Sequence, residues 1–194
     1  MFEVARNKLS VKMKRIAPRV AVRRFVRREE GSAAVEFGVV LLPFLGMMFA
    51  IMETALVFFA QQTLETAVAG SARLIMTGQA QNHLPNALDR DTFKTEVCAR
   101  IYGLFDCAKL VVKVNKWVNF GGITYTAPTL DANGNLDPTT SAYTPTGPSD
   151  IVVVQLFYQW PIFVTLMNLS SLATSGNNTR LLVATAAFRN EPYN

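Results

Sequence analysis

Residues Ser32 to Met52 read SAAVEFGVVLLPFLGMMFAIM, and Glu36 is the one charge in the run. As a helix this stretch would reach roughly 31 Å at about 1.5 Å per residue, the thickness of one hydrocarbon core. A core helix of a soluble protein rarely needs to be this apolar on every side. The run also exceeds the about 7–15 apolar residues of an ordinary cleaved secretory signal. Arg19, Arg23, Arg24, Arg27 and Arg28 crowd its N-terminal side. The excess of cations there predicts a cytoplasmic N-terminus, with everything after Glu53 on the outer side of the membrane.

Composition agrees with this division. The 194-residue chain is half apolar and only 17% charged, which excludes intrinsic disorder and departs from an evenly mixed soluble domain. Its net charge of +5 is unevenly spread. Residues 1–30 hold ten Lys/Arg against three Glu, while the remainder holds nine against eleven Asp/Glu. A basic arm therefore precedes a slightly acidic body. With only Phe2 and Phe25 as aromatics, the arm lacks a stacking surface, and no nucleic-acid partner is expected.

The helical pattern continues past the apolar run. In QQTLETAVAGSARLIMTG, Leu64, Val68 and Ile75 follow the spacing of one helix face, with Ala67, Ala72 and Leu74 beside them. Gly78 is the expected stop. The predicted helix would run about 68 Å, greasy first and amphipathic after, with Pro43 inside it favouring a kink. Glu53 falls about 25 Å beyond Glu36 along such a helix and is expected to be exposed at the outer headgroup level.

Beyond it, Asp89 to Phe105 reads as an amphipathic helix with Phe93, Val97, Ile101 and Leu104 or Phe105 on one face, capped by Asp91 or Thr92. Leu110–Phe120, Ile151–Trp160 and Arg180–Phe188 have strand composition. Residues 162–174 form a second apolar segment, helix or loop, too short to span a membrane. Asn133-Gly134 suggests a hairpin turn. The acidic turn Asp131–Asn135 departs from a calcium loop at Leu136 and Ala142, and a plain turn is expected. The fold class is thus α+β: a long N-terminal transmembrane and stalk helix with a small head of three or four antiparallel strands and one or two helices. The expected divisions are a basic leader at 1–31, the helix at 32–78 and the outer domain at 79–194. Two cysteines, Cys98 and Cys107, would face an oxidising compartment and are expected to form a disulfide, the other reading being two buried thiols. No nucleophile elbow, phosphate loop, dinucleotide fingerprint or metal-spaced cluster is present, so neither an enzyme nor a cofactor is expected.

Glu36 separates an anchor from something more specific. A carboxylate at the centre of a bilayer costs on the order of 3 kcal/mol, less one turn from the headgroups. Its context is Glu30-Gly31-Ser32-Ala33-Ala34-Val35-Glu36-Phe37. A glycine is followed by small residues, then by a glutamate at the fifth position, an aromatic and a long apolar helix. This resembles a type IV prepilin processing site, and more closely the TadE-like pseudopilins of the tight-adherence (Tad, Flp) pilus system. The resemblance takes in the basic leader, the GSAAVEF start, the long helix, the cysteine pair and the ending Phe188–Tyr193.

The resemblance implies cleavage by a membrane prepilin peptidase between Gly31 and Ser32, with Gly31, Ser32, Glu36 and Phe37 as the recognition residues. It implies that the Glu36 carboxylate pairs with a neighbouring subunit's new N-terminus. Gly38 and Gly46 offer a small-residue face for helix packing during subunit assembly. The implied partners are the peptidase, other Tad pseudopilins, the major pilin, an inner-membrane assembly platform and membrane lipid. The implied place is the bacterial inner membrane, crossed once, with the C-terminal domain periplasmic. Arg189, Asn190, Glu191 and Pro192 belong to a family-type C-terminal motif for which the sequence supplies no physical role. The alternative is an unprocessed single-pass protein whose periplasmic head binds an envelope partner or ligand.

Overall fold

The computed structural model describes residues 31–81, 89–101, 103–124, 127–163 and 178–192. The basic leader and most of the apolar segment 162–174 lie outside the described residues. Helix α1 spans Ser32–Met76 and stays helical through Pro43. It ends where the sequence predicts. The Gly78 amide donates to the Ile75 carbonyl at 3.1 Å and the Ala80 amide to Leu74 at 2.9 Å. Gly78 takes φ +74°, a left-handed conformation that glycine adopts without a Cβ clash. The chain divides into two compact units, Met1–Leu45 and Gly46–Asn194. The first contains the N-terminal turns of α1. The second contains the rest of the helix and the head.

In the second unit, strands β1 (Val111–Trp117), β2 (Ala142–Tyr143), β3 (Ile151–Pro161) and β4 (Thr179–Arg189) form one sheet in the order β2-β1-β3-β4. β1 pairs antiparallel to β3 from Val111↔Phe157 to Trp117↔Ile151. β3 pairs antiparallel to β4 over its whole length, Ile151↔Arg189 to Pro161↔Thr179. β2 runs parallel to β1, with Lys113↔Ala142 and Val114↔Tyr143, so the sheet is mixed where an antiparallel one is expected. The reason is local. The long polar connection crosses the sheet and returns along β1, and two residues are too few to leave a strand pattern.

The α1 stripe Val57, Ala60, Leu64, Ala67, Val68, Ala72 and Ile75 is buried, and it belongs to one core with Val112, Val114, Val152, Val154, Leu156, Leu182 and Ala184. Alanines in that stripe let the helix backbone approach the sheet closely. Helix α2 (Arg90–Cys98) adds Phe93 and Val97. It is shorter than expected, and its N-cap is Asp89, not Asp91 or Thr92: the Asp89 carboxylate accepts from the Thr92 amide at 2.8 Å. After Cys98 the chain tightens, with i to i+3 bonds at Arg100 and Ile101, and Gly103 at φ +86° turns it away. Ile101 and Phe105 stay in the core from this turn.

The other face of the sheet is covered too. Val111, Phe157 and Leu136 form a second small cluster. The Leu136 amide donates to Gln159 Oε1 at 2.7 Å, and Gln159 Nε2 donates to the Gly134 carbonyl at 2.8 Å. This is the turn around Asn133-Gly134 that the sequence suggests, closed by a Leu130–Leu136 bridge. Burial on both faces explains why β3 reads as a continuous apolar run rather than an alternating one.

Candidate functional site

At the start of α1, Ser32 Oγ donates to Glu36 Oε1 at 2.9 Å, one turn along. Both residues are exposed, as is Phe37. A Cβ added to Gly38 would meet nothing within 4 Å, so its bare backbone is open to a partner helix. Val35, Phe37, Val39, Val40, Leu42 and Phe44 are all exposed in this unit. An apolar helix with no protein around it is unstable in water and suited to lipid or to other helices. Among the described residues α1 is the one helix long and apolar enough to cross a membrane, by length and composition.

Glu53 departs from expectation. It is 5% exposed rather than solvated, and its Oε1 accepts from the Phe163 backbone amide. The sequence carried the signal. Glu53 precedes Val57 by four positions and so sits on the stripe that Ala60, Leu64 and Ile75 continue. A lone acid on a buried stripe needs a donor, and the end of β3 supplies it.

Cys98 and Cys107 form the expected disulfide, with Cα atoms 6.0 Å apart. It ties the end of α2 to the segment entering β1. Asp106 in that segment donates its backbone amide to Tyr158 Oη at 3.2 Å, which anchors the crosslinked loop to β3.

The C-terminal residues acquire a physical account. Arg189 Nε donates to the Ser149 carbonyl at 3.0 Å. Asn190 is 3% exposed. Its amide side chain donates to the Gly147 carbonyl at 2.8 Å and to Thr146 Oγ1 at 3.2 Å. Its backbone amide donates to Asp150, and the next amide, Glu191, donates to the carbonyl of Met76 at 2.9 Å. Gln81 Nε2 reaches the same Thr146 hydroxyl at 2.7 Å. Arg189, Asn190 and Glu191 thus bind the turn before β3 to the end of α1. Pro192 is exposed.

At the acidic turn, Asp131 accepts from the amides of Asn133 and Asn135, each at 2.8 Å. Those bonds, Asn135 first, hold its carboxyl below the ordinary range. The Asp89 carboxyl is lowered in the same way, chiefly by the Thr92 amide. Among the described residues no three His, Cys, Asp or Glu side chains come together as a metal site. The arrangement gathers anchoring contacts rather than reacting groups.

Residues 31–73 match the family model described as TadE-like protein. The match opens on Gly31, takes in Ser32 and Glu36, and closes at Arg73 inside α1, so the strands of the head lie beyond it. The matched stretch includes the apolar part of α1 that is long enough to cross a membrane by length and composition. No curated protein and no solved structure was found to match the chain.

Proposed function

We propose that this protein is a membrane-anchored pseudopilin, or minor pilin-like subunit, that supports assembly of a Tad-type pilus and is cut by a prepilin peptidase after Gly31. The observation that carries the reading is the TadE-like match over 31–73, whose first residue is the glycine at the proposed cut. Two features support it. The regular helix begins at Ser32, so the scissile bond lies at a helix boundary, where an extended backbone can enter a protease site. Glu36 is exposed and one turn from Ser32, so cutting would release an ammonium at Ser32 beside a carboxylate with room for a neighbour.

In this reading the basic leader stays in the cytoplasm and the head lies in the periplasm. Subunits pack along α1 through Gly38 and Gly46, and Glu36 of one molecule takes the new N-terminus of the next. Inside lipid such a pair has few competitors for its charges, which fixes register between helices. The test is mass spectrometry of the native membrane form. Co-expression with a prepilin peptidase should yield a species beginning at Ser32, and Gly31→Leu should abolish it. A chain that stays full length beside an active peptidase refutes the proposal.

A further inference from the structure

The lower end of the head carries its own apolar surface. Twenty residues of helix, about 30 Å, cross a hydrocarbon core; counted from Ala33 they end at Met52. Exposed apolar side chains do not end there. Leu56, Phe58 and Phe59 remain exposed on α1, beyond Glu53 and Thr54 and before the polar pair Gln61 and Gln62. At the same level the end of β3 is held to the helix by the Glu53–Phe163 bond, and Phe163 is 73% exposed. Arg180, opposite Trp160 in the register, lines a small cavity with Thr54, Phe58 and Gln61. It has no carboxylate partner among the described residues. Aromatic rings beside an unpaired guanidinium, continuous with an apolar span, match the depth profile of a bilayer interface, apolar below and anionic phosphate above.

The opposite end of the sheet provides the contrast. Trp117 pairs with Ile151 there, about 33 Å of strand from Pro161 at about 3.3 Å per residue. That end also holds the bonds that tie Arg189–Glu191 to Met76. Within this unit, helix and sheet are therefore fastened with the Phe163 end at Glu53 and the Arg189 end near Met76.

We propose that the Phe163 end of the head is seated in the outer lipid headgroup zone, with Phe58, Phe59 and Phe163 in the interface and Arg180 at the level of the lipid phosphates. This rests on the membrane-spanning reading above. Glu53 is then a positioning residue: by holding the Phe163 amide it fixes the height at which the helix leaves the bilayer.

Spin labels test this on the full chain in vesicles of phosphatidylethanolamine and phosphatidylglycerol. Labels enter through Met47→Cys, Phe59→Cys, Phe163→Cys and Val118→Cys, with the native disulfide intact. Depth is read from the ratio of oxygen to nickel-chelate accessibility. The expected order is Met47 deepest, Phe59 and Phe163 at interfacial depth, and Val118 in water. With Met47 in lipid, a label at 163 as chelate-accessible as one at 118 overturns the proposal. A water-accessible label at Met47 removes the membrane-spanning reading and this proposal with it. Phe163→Trp in a Trp117→Phe background, quenched by brominated lipid, repeats the measurement with a residue of similar bulk; no quenching beyond that of the Trp117→Phe parent overturns the proposal.

Discussion

Asn190→Ala decides whether the C-terminal motif holds the fold or serves recognition. Asn190 is buried, and its side-chain amide donates to the Gly147 carbonyl at 2.8 Å and to Thr146 Oγ1 at 3.2 Å. Each such bond contributes about 0.5–1.5 kcal/mol net, and a buried acceptor left without its donor adds to the cost. The expected loss is about 2–3 kcal/mol. For a folded unit of this size that lowers the thermal midpoint by roughly 5–10 °C. Asn190→Asp should cost at least as much, since it sets a carboxylate against the Gly147 carbonyl. The assay is near-ultraviolet circular dichroism of the full chain in detergent, where Trp160, packed edge-on to Phe105, reports the core. Asn190→Ala that melts within about 2 °C of the parent, yet fails to support pili, would refute the structural reasoning and return the motif to recognition.

Replacing Cys98 and Cys107 together by alanine opens a loop with a sequence separation of 9; loop-entropy arithmetic gives a loss of about 2.6 kcal/mol, checked by denaturant titration with and without reductant. Glu53→Ala leaves the Phe163 amide without its acceptor and should cost about 2 kcal/mol, while Glu53→Gln, which keeps an acceptor, should cost less; the same melts compare them. Leu64→Ala, at a fully buried stripe position, should cost about 2–5 kcal/mol. Asp89 and Asp131 have folded-state carboxyl pKa values below their ordinary 3.8. Their stabilisation is therefore present above about pH 4 and is lost as pH falls through the folded values; melts of Asp89→Asn and Asp131→Asn should show a shallower decline in that acid range than the parent.

Much of the architecture was legible in local pattern. The α1 stripe, the Gly78 stop and the three long strands each rest on periodicity or on a residue with one strong conformational preference. The paired cysteines are nine positions apart, close enough for a short loop to bring them together. What escaped depends on distant residues. Asp89 prevails as N-cap over Asp91 because the helix starts one residue after it. β2 exists only because a long connection returns beside β1. Distance along the helix puts Glu53 at the headgroup level, but its place on the buried stripe decides its surroundings. Asn190 shows no local pattern at all: its partners lie more than forty positions earlier. The candidate processing residues are legible as a motif by resemblance, because Gly31, Ser32, Glu36 and Phe37 lie within seven consecutive residues.

One side-chain contact bears on the edge of the sheet. β4 is the outermost strand of the sheet, eleven residues long, and unprotected strands of that kind recruit copies of themselves. Gln61 Nε2 donates to the Val183 carbonyl at 2.9 Å, occupying an acceptor midway along the strand. A stray chain seeking to extend the ladder would have to evict that amide and pry away the helix carrying it. That contact makes β4 a poorer template for a second copy at Val183.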